Sequence, residues 1–161
     1  MSLRDELLRA NEAYASSFRE GDLTRPPRKR LAVLTCLDGR IDPLRMLGLA
    51  PGDANVLRNA GARVTQDALR SLVVSHALLG MRETLLVGHT DCGLEGVSNE
   101  ELHGGMRERG LDASAVDFEP FADVEESVRE GLRRIAASPL LAGVEASGWV
   151  YDVRTGRLRA V

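Results

Sequence analysis

Leu31-Ala32-Val33-Leu34-Thr35-Cys36-Leu37-Asp38-Gly39-Arg40 begins as a short apolar run and ends in a cysteine, an aspartate and an arginine. Its first six residues show no polar alternation, the pattern of a strand buried on both faces in a parallel sheet covered by helices. Cys36 then stands at the C-terminal end of that strand. A second run of the same kind, Thr84-Leu85-Leu86-Val87-Gly88, leads into His89-Thr90-Asp91-Cys92. Open parallel α/β sheets bind ligands at the carboxyl ends of their strands. Both runs therefore deliver chemistry-bearing side chains to one edge.

The segments around these strands fit the same architecture. Leu3, Leu7, Leu8, Ala10, Tyr14, Ala15 and Phe18 recur at helical spacing and predict an amphipathic N-terminal helix, ended by Gly21, Pro26 and Pro27. Asp42-Pro43 opens a short helix with an N-cap residue followed by proline, and Leu44, Met46, Leu47 and Leu49 follow. A strand over 54–57 is followed by the turn Arg58-Asn59-Ala60-Gly61. Thr65 then caps a helix whose apolar face is Ala68, Leu69, Leu72, Val73, His76 and Leu79, stopped by Gly80. Residues 98–110, with Gly104-Gly105 and Gly110, read as a short helix or a mobile segment. Asp123 caps a helix through Ala137 with Val124, Val128, Leu132 and Ile135 on one side, and Glu125 and Glu126 suit its dipole. Trp149, Tyr151 and Val153 alternate, and the turn at 154–157 leads to Leu158 and Ala160, a C-terminal hairpin. The expected fold class is α/β: a mostly parallel sheet flanked by helices, with the N-terminal helix and the hairpin at its ends.

A chain of 161 residues is about one domain long, so a single domain over 1–161 is expected. Charged residues make up 28% and hydrophobic ones 43%, which argues against disorder. The net charge is −3 and the arginines are scattered among acidic residues, so nucleic acid is not an expected partner. No run reaches the roughly 18 apolar residues of a membrane span, and residues 1–30 lack the apolar core of a secretory signal. A cytoplasmic protein is expected. Its two cysteines then read as free thiols, metal ligands or catalytic groups rather than a disulfide.

Singly, a free cysteine is usually a small buried hydrophobe and a strand-end histidine a satisfied polar group. The conjunction says more. Cys36, His89 and Cys92 form a donor set suited to Zn²⁺, and three strong protein ligands with one negotiable position is the catalytic pattern. Asp38 and Arg40 follow at two-residue steps. The Asp38 carboxylate has two fates: fourth ligand to the metal, which closes the site, or bidentate partner of Arg40, which leaves room for water. In the second state it can orient the nucleophile.

Cys36-Leu37-Asp38-Gly39-Arg40 and His89-Thr90-Asp91-Cys92-Gly93 resemble the Cys-x-Asp-x-Arg and His-x-x-Cys signatures of the β-class carbonic anhydrases, and Arg58-Asn59-Ala60-Gly61 resembles that family's Arg-Asn-Ala-Gly turn. The resemblance is ordered from about residue 31 to 97. It implies reversible hydration of carbon dioxide to bicarbonate by zinc-bound hydroxide, with Cys36, His89 and Cys92 holding the metal and the catalytic Asp38/Arg40 dyad gating the fourth position. It also implies a homodimer in which the partner lends apolar lining to the site. Leu37 and Gly39 occupy variable motif positions, Ala62 stands where a second glycine is common, and Leu94 where glycine is frequent.

Two rival readings keep the same metal. One is a hydrolase of carbonyl sulfide or carbon disulfide on the same scaffold, and the other a non-catalytic zinc-binding regulatory protein with Asp38 fixed on zinc. His76 is expected to be a hydrogen-bonded structural residue, and His103 an exposed one. Asp91 could orient its turn or cap a helix. Trp149 and Tyr151 are expected in the sheet core or at a dimer contact.

Overall fold

The computed structural model describes residues 1–161. Five strands, β1 (Leu31–Cys36), β2 (Ala54–Asn59), β3 (Glu83–His89), β4 (Glu145–Tyr151) and β5 (Leu158–Ala160), form one sheet in the order β2-β1-β3-β4-β5. β1 to β4 pair in parallel, and β5 returns antiparallel beside β4 as the expected hairpin. The chain leaves β1 toward β2 and then crosses back past β1 to β3. Neighbouring strands β1 and β3 thus flank the point where the winding reverses, the crevice where such sheets bind ligands.

Every residue of β1 is buried, as its unbroken apolar run requires. Its alternate residues feed two clusters. Ala32, Leu34 and Cys36 join Leu86 under helices α3 (Gln66–Leu79) and α5 (Val124–Ala136), while Leu31 and Val33 pack with Val87 on the opposite face beside Met46, Leu49 and Trp149. Thr35, the one polar residue of the expected strand, donates its hydroxyl to the Val87 carbonyl at 2.9 Å.

Helix starts follow the caps. α1 (Leu3–Ser16) begins at Ser2, α2 (Pro43–Met46) at Asp42, α3 at Thr65 and α5 at Asp123, each side chain accepting from a backbone amide of the first turn. Gly80 ends α3 in a left-handed conformation. The apolar face of α1 covers nothing in its own chain: no residue of the helix is buried, and Leu3, Leu7, Leu8 and Tyr14 are all more than half exposed.

Residues 98–110 resolve into helix α4 (Asn99–Glu108), started by a capping box between Ser98 and Glu101. β2 runs two residues beyond the expected 54–57, because Asn59 keeps register with Cys36, and the turn moves to the 3₁₀ segment Ala60–Ala62. β4 starts and ends earlier than alternation implied, at Glu145 and Tyr151, in register with β3. The buried stripe of α3 centres on Ala68, Leu72 and Ser75, and Ser75 is satisfied by the Asn55 side-chain amide at 2.7 Å. His76 is structural as expected, its Nδ1 bonded with the Met81 carbonyl at 2.8 Å. His103 is half-buried rather than exposed, its Nε2 pinned to the Val116 carbonyl at 2.8 Å.

Candidate metal centre

β1 and β3 are adjacent parallel strands, so their last residues, Cys36 and His89, emerge side by side. The turn after β3 brings Cys92 back toward them. The ligating atoms of Cys36, His89 and Cys92 lie within 4.8 Å of one another, and all three residues are buried. His89 Nδ1 stands 2.9 Å from the Thr90 carbonyl. A carbonyl can only accept, so Nδ1 carries the proton and a neutral ring presents a lone pair at Nε2. That Nε2 is buried and has no hydrogen-bond partner in the protein. An orphaned imidazole nitrogen facing two sulfurs fits a borderline-soft cation such as zinc.

The sulfurs are tuned by their surroundings. The Gly61 amide donates to Cys36 Sγ at 3.3 Å. Gly61 does so at φ +72°, with a Cβ there set to meet Leu94 and Phe121 at 3.1 Å, so glycine is required at this position. Ala62 follows at φ +54°, the site where the family resemblance expects a second glycine. A hydrogen bond from the Cys92 thiol is the main influence pulling the Cys36 pKa down, to about 3. The same Cys36 sulfur, joined by burial, pushes the Cys92 thiol up. Without a cation the pair favours a single thiolate. Burial opposes charge on His89, but hydrogen bonding and the negative charge of Cys36 outweigh it and raise its pKa.

Asp38 stands outside the converging trio, engaged by Arg40. Nε of Arg40 donates to Asp38 Oδ1 and Oδ2 at 3.0 and 3.2 Å, Nη2 donates to Oδ2 at 2.7 Å, and the Arg40 amide donates to Oδ1 at 2.8 Å. These bonds hold the Asp38 carboxyl far below the usual carboxylate range. The Cys36–Arg40 segment is braced from β2 by Arg58, whose Nε donates to the Cys36 carbonyl at 2.9 Å and Nη2 to the Asp38 carbonyl at 2.6 Å.

Sequence reasoning placed all three clustered donors and the Asp38/Arg40 pair. It did not assign the work of Arg58 and Gly61, although the Arg-Asn-Ala-Gly turn was visible. Arg63 gave no signal at all: it is buried, pairs with Glu119, Glu130 and Ser127, and lies over the Phe121 ring, tying the Gly61 turn to α5. Leu94 abuts Gly61, whereas Leu37 is 60% exposed and lines nothing buried.

A parallel α/β sheet with a thiol–imidazole cluster at its winding reversal is the arrangement of a metalloenzyme. The carbonic anhydrase family model matches residues 31–122. The β-carbonic anhydrase 1 of Mycobacterium tuberculosis is 40% identical over 100% of this chain and 99% of that protein. A crystal structure of carbonic anhydrase from Streptococcus mutans superposes with a TM-score of 0.94 at 45% identity, covering 100% and 98% of the two chains. A carbon disulfide hydrolase from Acidianus is 32% identical over 96% of this chain and 87% of its own. This chain belongs to the β-class carbonic anhydrase family.

Proposed function

We propose that the protein binds one zinc ion through Cys36, His89 and Cys92 and catalyses the reversible hydration of carbon dioxide to bicarbonate, with Asp38 and Arg40 controlling the fourth coordination position. The observation that carries this reading is the engagement of Asp38 by Arg40. With its carboxylate held there, three protein donors converge rather than four, which is the catalytic zinc pattern. A zinc ion in this place supplies Lewis acidity that brings a water molecule's ionisation toward neutral pH, less strongly with two thiolates than with three histidines.

The chain's own residues do the rest. Thr90 fixes the His89 tautomer, so Nε2 is aimed before any ligand arrives. The Gly61 amide stabilises negative charge on Cys36. Asp38, ionised throughout the neutral range, accepts hydrogen bonds but cannot donate them, so it orients the attacking water with a lone pair toward carbon dioxide. Turning Asp38 away from Arg40 toward the metal closes the site, which makes the pair a gate.

The exposed apolar stripe of α1 supports a homodimer in which that face packs on a second copy. Contiguous exposed apolar surface of this kind marks an interaction site, and isologous pairing is the commonest solution for a soluble chain. Reduced, clustered cysteines suit the cytoplasm. No helix is long and apolar enough to cross a membrane.

Carbon disulfide hydrolysis is the second reading, favoured by the 32% identity to the Acidianus enzyme. Stopped-flow carbon dioxide hydration and sulfide release from carbon disulfide, measured on one zinc-loaded preparation, separate the two. The proposal expects hydration without sulfide. Sulfide release with no hydration would replace it with the hydrolase reading.

A further inference from the structure

Asp91 sits on the chain between His89 and Cys92 and adopts φ +58°. Aspartate is among the few residues with a side chain that visit this left-handed region routinely. The conformation turns both of its acceptors toward Arg40. Nη1 of Arg40 donates to Asp91 Oδ2 at 2.6 Å, and Nη2 donates to the Asp91 carbonyl at 2.9 Å. Nε and Nη2 of the same guanidinium grip Asp38. Arg40 therefore bridges two loops that lie 51 residues apart in sequence.

We propose that Asp91 is a positioning residue for the gate: it fixes the Arg40 guanidinium relative to His89 and Cys92, and so keeps Asp38 on Arg40 and off the metal. This deepens the zinc and gating reading above and rests on it. Asp38 and Arg40 lie two residues apart on one turn, and a local pair sets its own internal geometry but not its distance from the donors after β3. Arg58 holds backbone carbonyls of that turn and the Arg40 amide holds Asp38 Oδ1, but neither fixes the Arg40 guanidinium. The two bonds to Asp91 tie the Arg40 side chain to the turn that carries the other donors. Their purpose is geometric. The Asp91 side chain is 65% exposed, and ion pairs so exposed add little to global stability.

The test compares Asp91→Gly, which tolerates the left-handed backbone and deletes the carboxylate, with Asp91→Asn, which restores an acceptor oxygen. Each is loaded with cobalt(II), whose visible spectrum reports the ligands, and is assayed with zinc for carbon dioxide hydration. Asp91→Gly is expected to bind cobalt as the parent does, to show a spectrum shifted toward carboxylate coordination, and to lose about tenfold in kcat/KM, the worth of one charge-assisted hydrogen bond. Asp91→Asn recovers most of both. In an Asp38→Ala background Asp91→Gly leaves the cobalt spectrum unchanged, because no carboxylate remains to be released.

An Asp91→Gly protein with parental spectrum and turnover overturns the inference. So does one that loses cobalt, or one whose spectrum shifts in the Asp38→Ala background as well, for either result assigns Asp91 to shaping the donor turn itself. A parent protein that binds metal and never hydrates carbon dioxide would instead sink the proposed function. The cobalt comparison would still decide what Asp91 does.

Discussion

Gly88→Ala tests how the fold holds His89 in place. Gly88 precedes His89 on β3 and lies directly under α5, where an added Cβ would stand 2.8 Å from Val124 Cγ2 and 3.0 Å from Val128 Cγ2. Relaxed carbon contacts lie at about 3.5–4.0 Å, so the methyl arrives at least about 0.5 Å too close to both. Neither valine can turn away, since a helical valine has essentially one χ1 rotamer. Nor can α5 lift freely. Gly131 of α5 is packed so closely on Leu86 and Val64, and Gly148 of β4 on Val128 and Leu132, that a Cβ on either would also collide. Overpacking of this kind costs about 1–3 kcal/mol, and the alanine returns about 0.4–1 kcal/mol by restricting the unfolded chain. The net loss centres on about 1.3 kcal/mol, or roughly 3–5 °C in melting temperature for a domain of this size. Gly39→Ala is the control: a Cβ there meets nothing within 4 Å, so only the unfolded-chain gain remains and its stability should rise by about 0.4–1 kcal/mol. Differential scanning calorimetry of the metal-free proteins measures both, and zinc retention in Gly88→Ala should fall as β3 bends beside His89. A Gly88→Ala protein as stable as its parent would refute the close-packing argument.

Further outcomes follow from the site and from α1. Cys92→Ala should lose zinc on dialysis while remaining folded, measured by elemental analysis beside circular dichroism; full zinc retention would remove Cys92 from the donor set. Zinc uptake at pH 7 should release at least one proton, because the Cys36 thiol is already ionised and the Cys92 thiol is not, and the upward shift of the His89 pKa can only add to the release. Zinc affinity accordingly rises with pH through neutrality and falls on acidification, and a weakly buffered titration giving three protons would contradict the single-thiolate pair. Leu7→Glu with Leu8→Glu places charge on the exposed stripe of α1 and should yield monomers in analytical ultracentrifugation; an unchanged dimer would put the interface elsewhere.

Much of this was legible because the decisive signals are local. An unbroken apolar run of five or six residues, too short for a helix of usual length, suits a strand covered on both faces, which put Cys36 and His89 at strand ends before any pairing was known. Caps at Asp42, Thr65 and Asp123 marked their helices for the same reason: a side-chain oxygen and a backbone amide three residues away settle the start. The Ser98/Glu101 capping box that starts α4 was equally local but went unread, and the paired glycines left 98–110 open between a short helix and a mobile segment. What stayed hidden was long-range. The grip of Arg63 on Ser127 and Glu130 joins residues more than sixty apart, and the bond of Arg40 to Asp91 needs a left-handed backbone that spacing does not reveal. Gly88 and Gly148 beneath α5 and Gly131 on it likewise have meaning only once helix and sheet meet.

The central claim is that zinc sits on Cys36, His89 and Cys92 while Asp38, held by Arg40, controls what reaches it. Its most direct test is stopped-flow hydration of carbon dioxide by the parent and Asp38→Ala proteins at matched zinc content over pH 7 to 9. The account predicts hydration well above the buffer rate for the parent, increasing toward high pH, and loss of most of it in Asp38→Ala with zinc retained. Equal turnover by the two proteins, or a zinc-replete parent no faster than buffer, would contradict it.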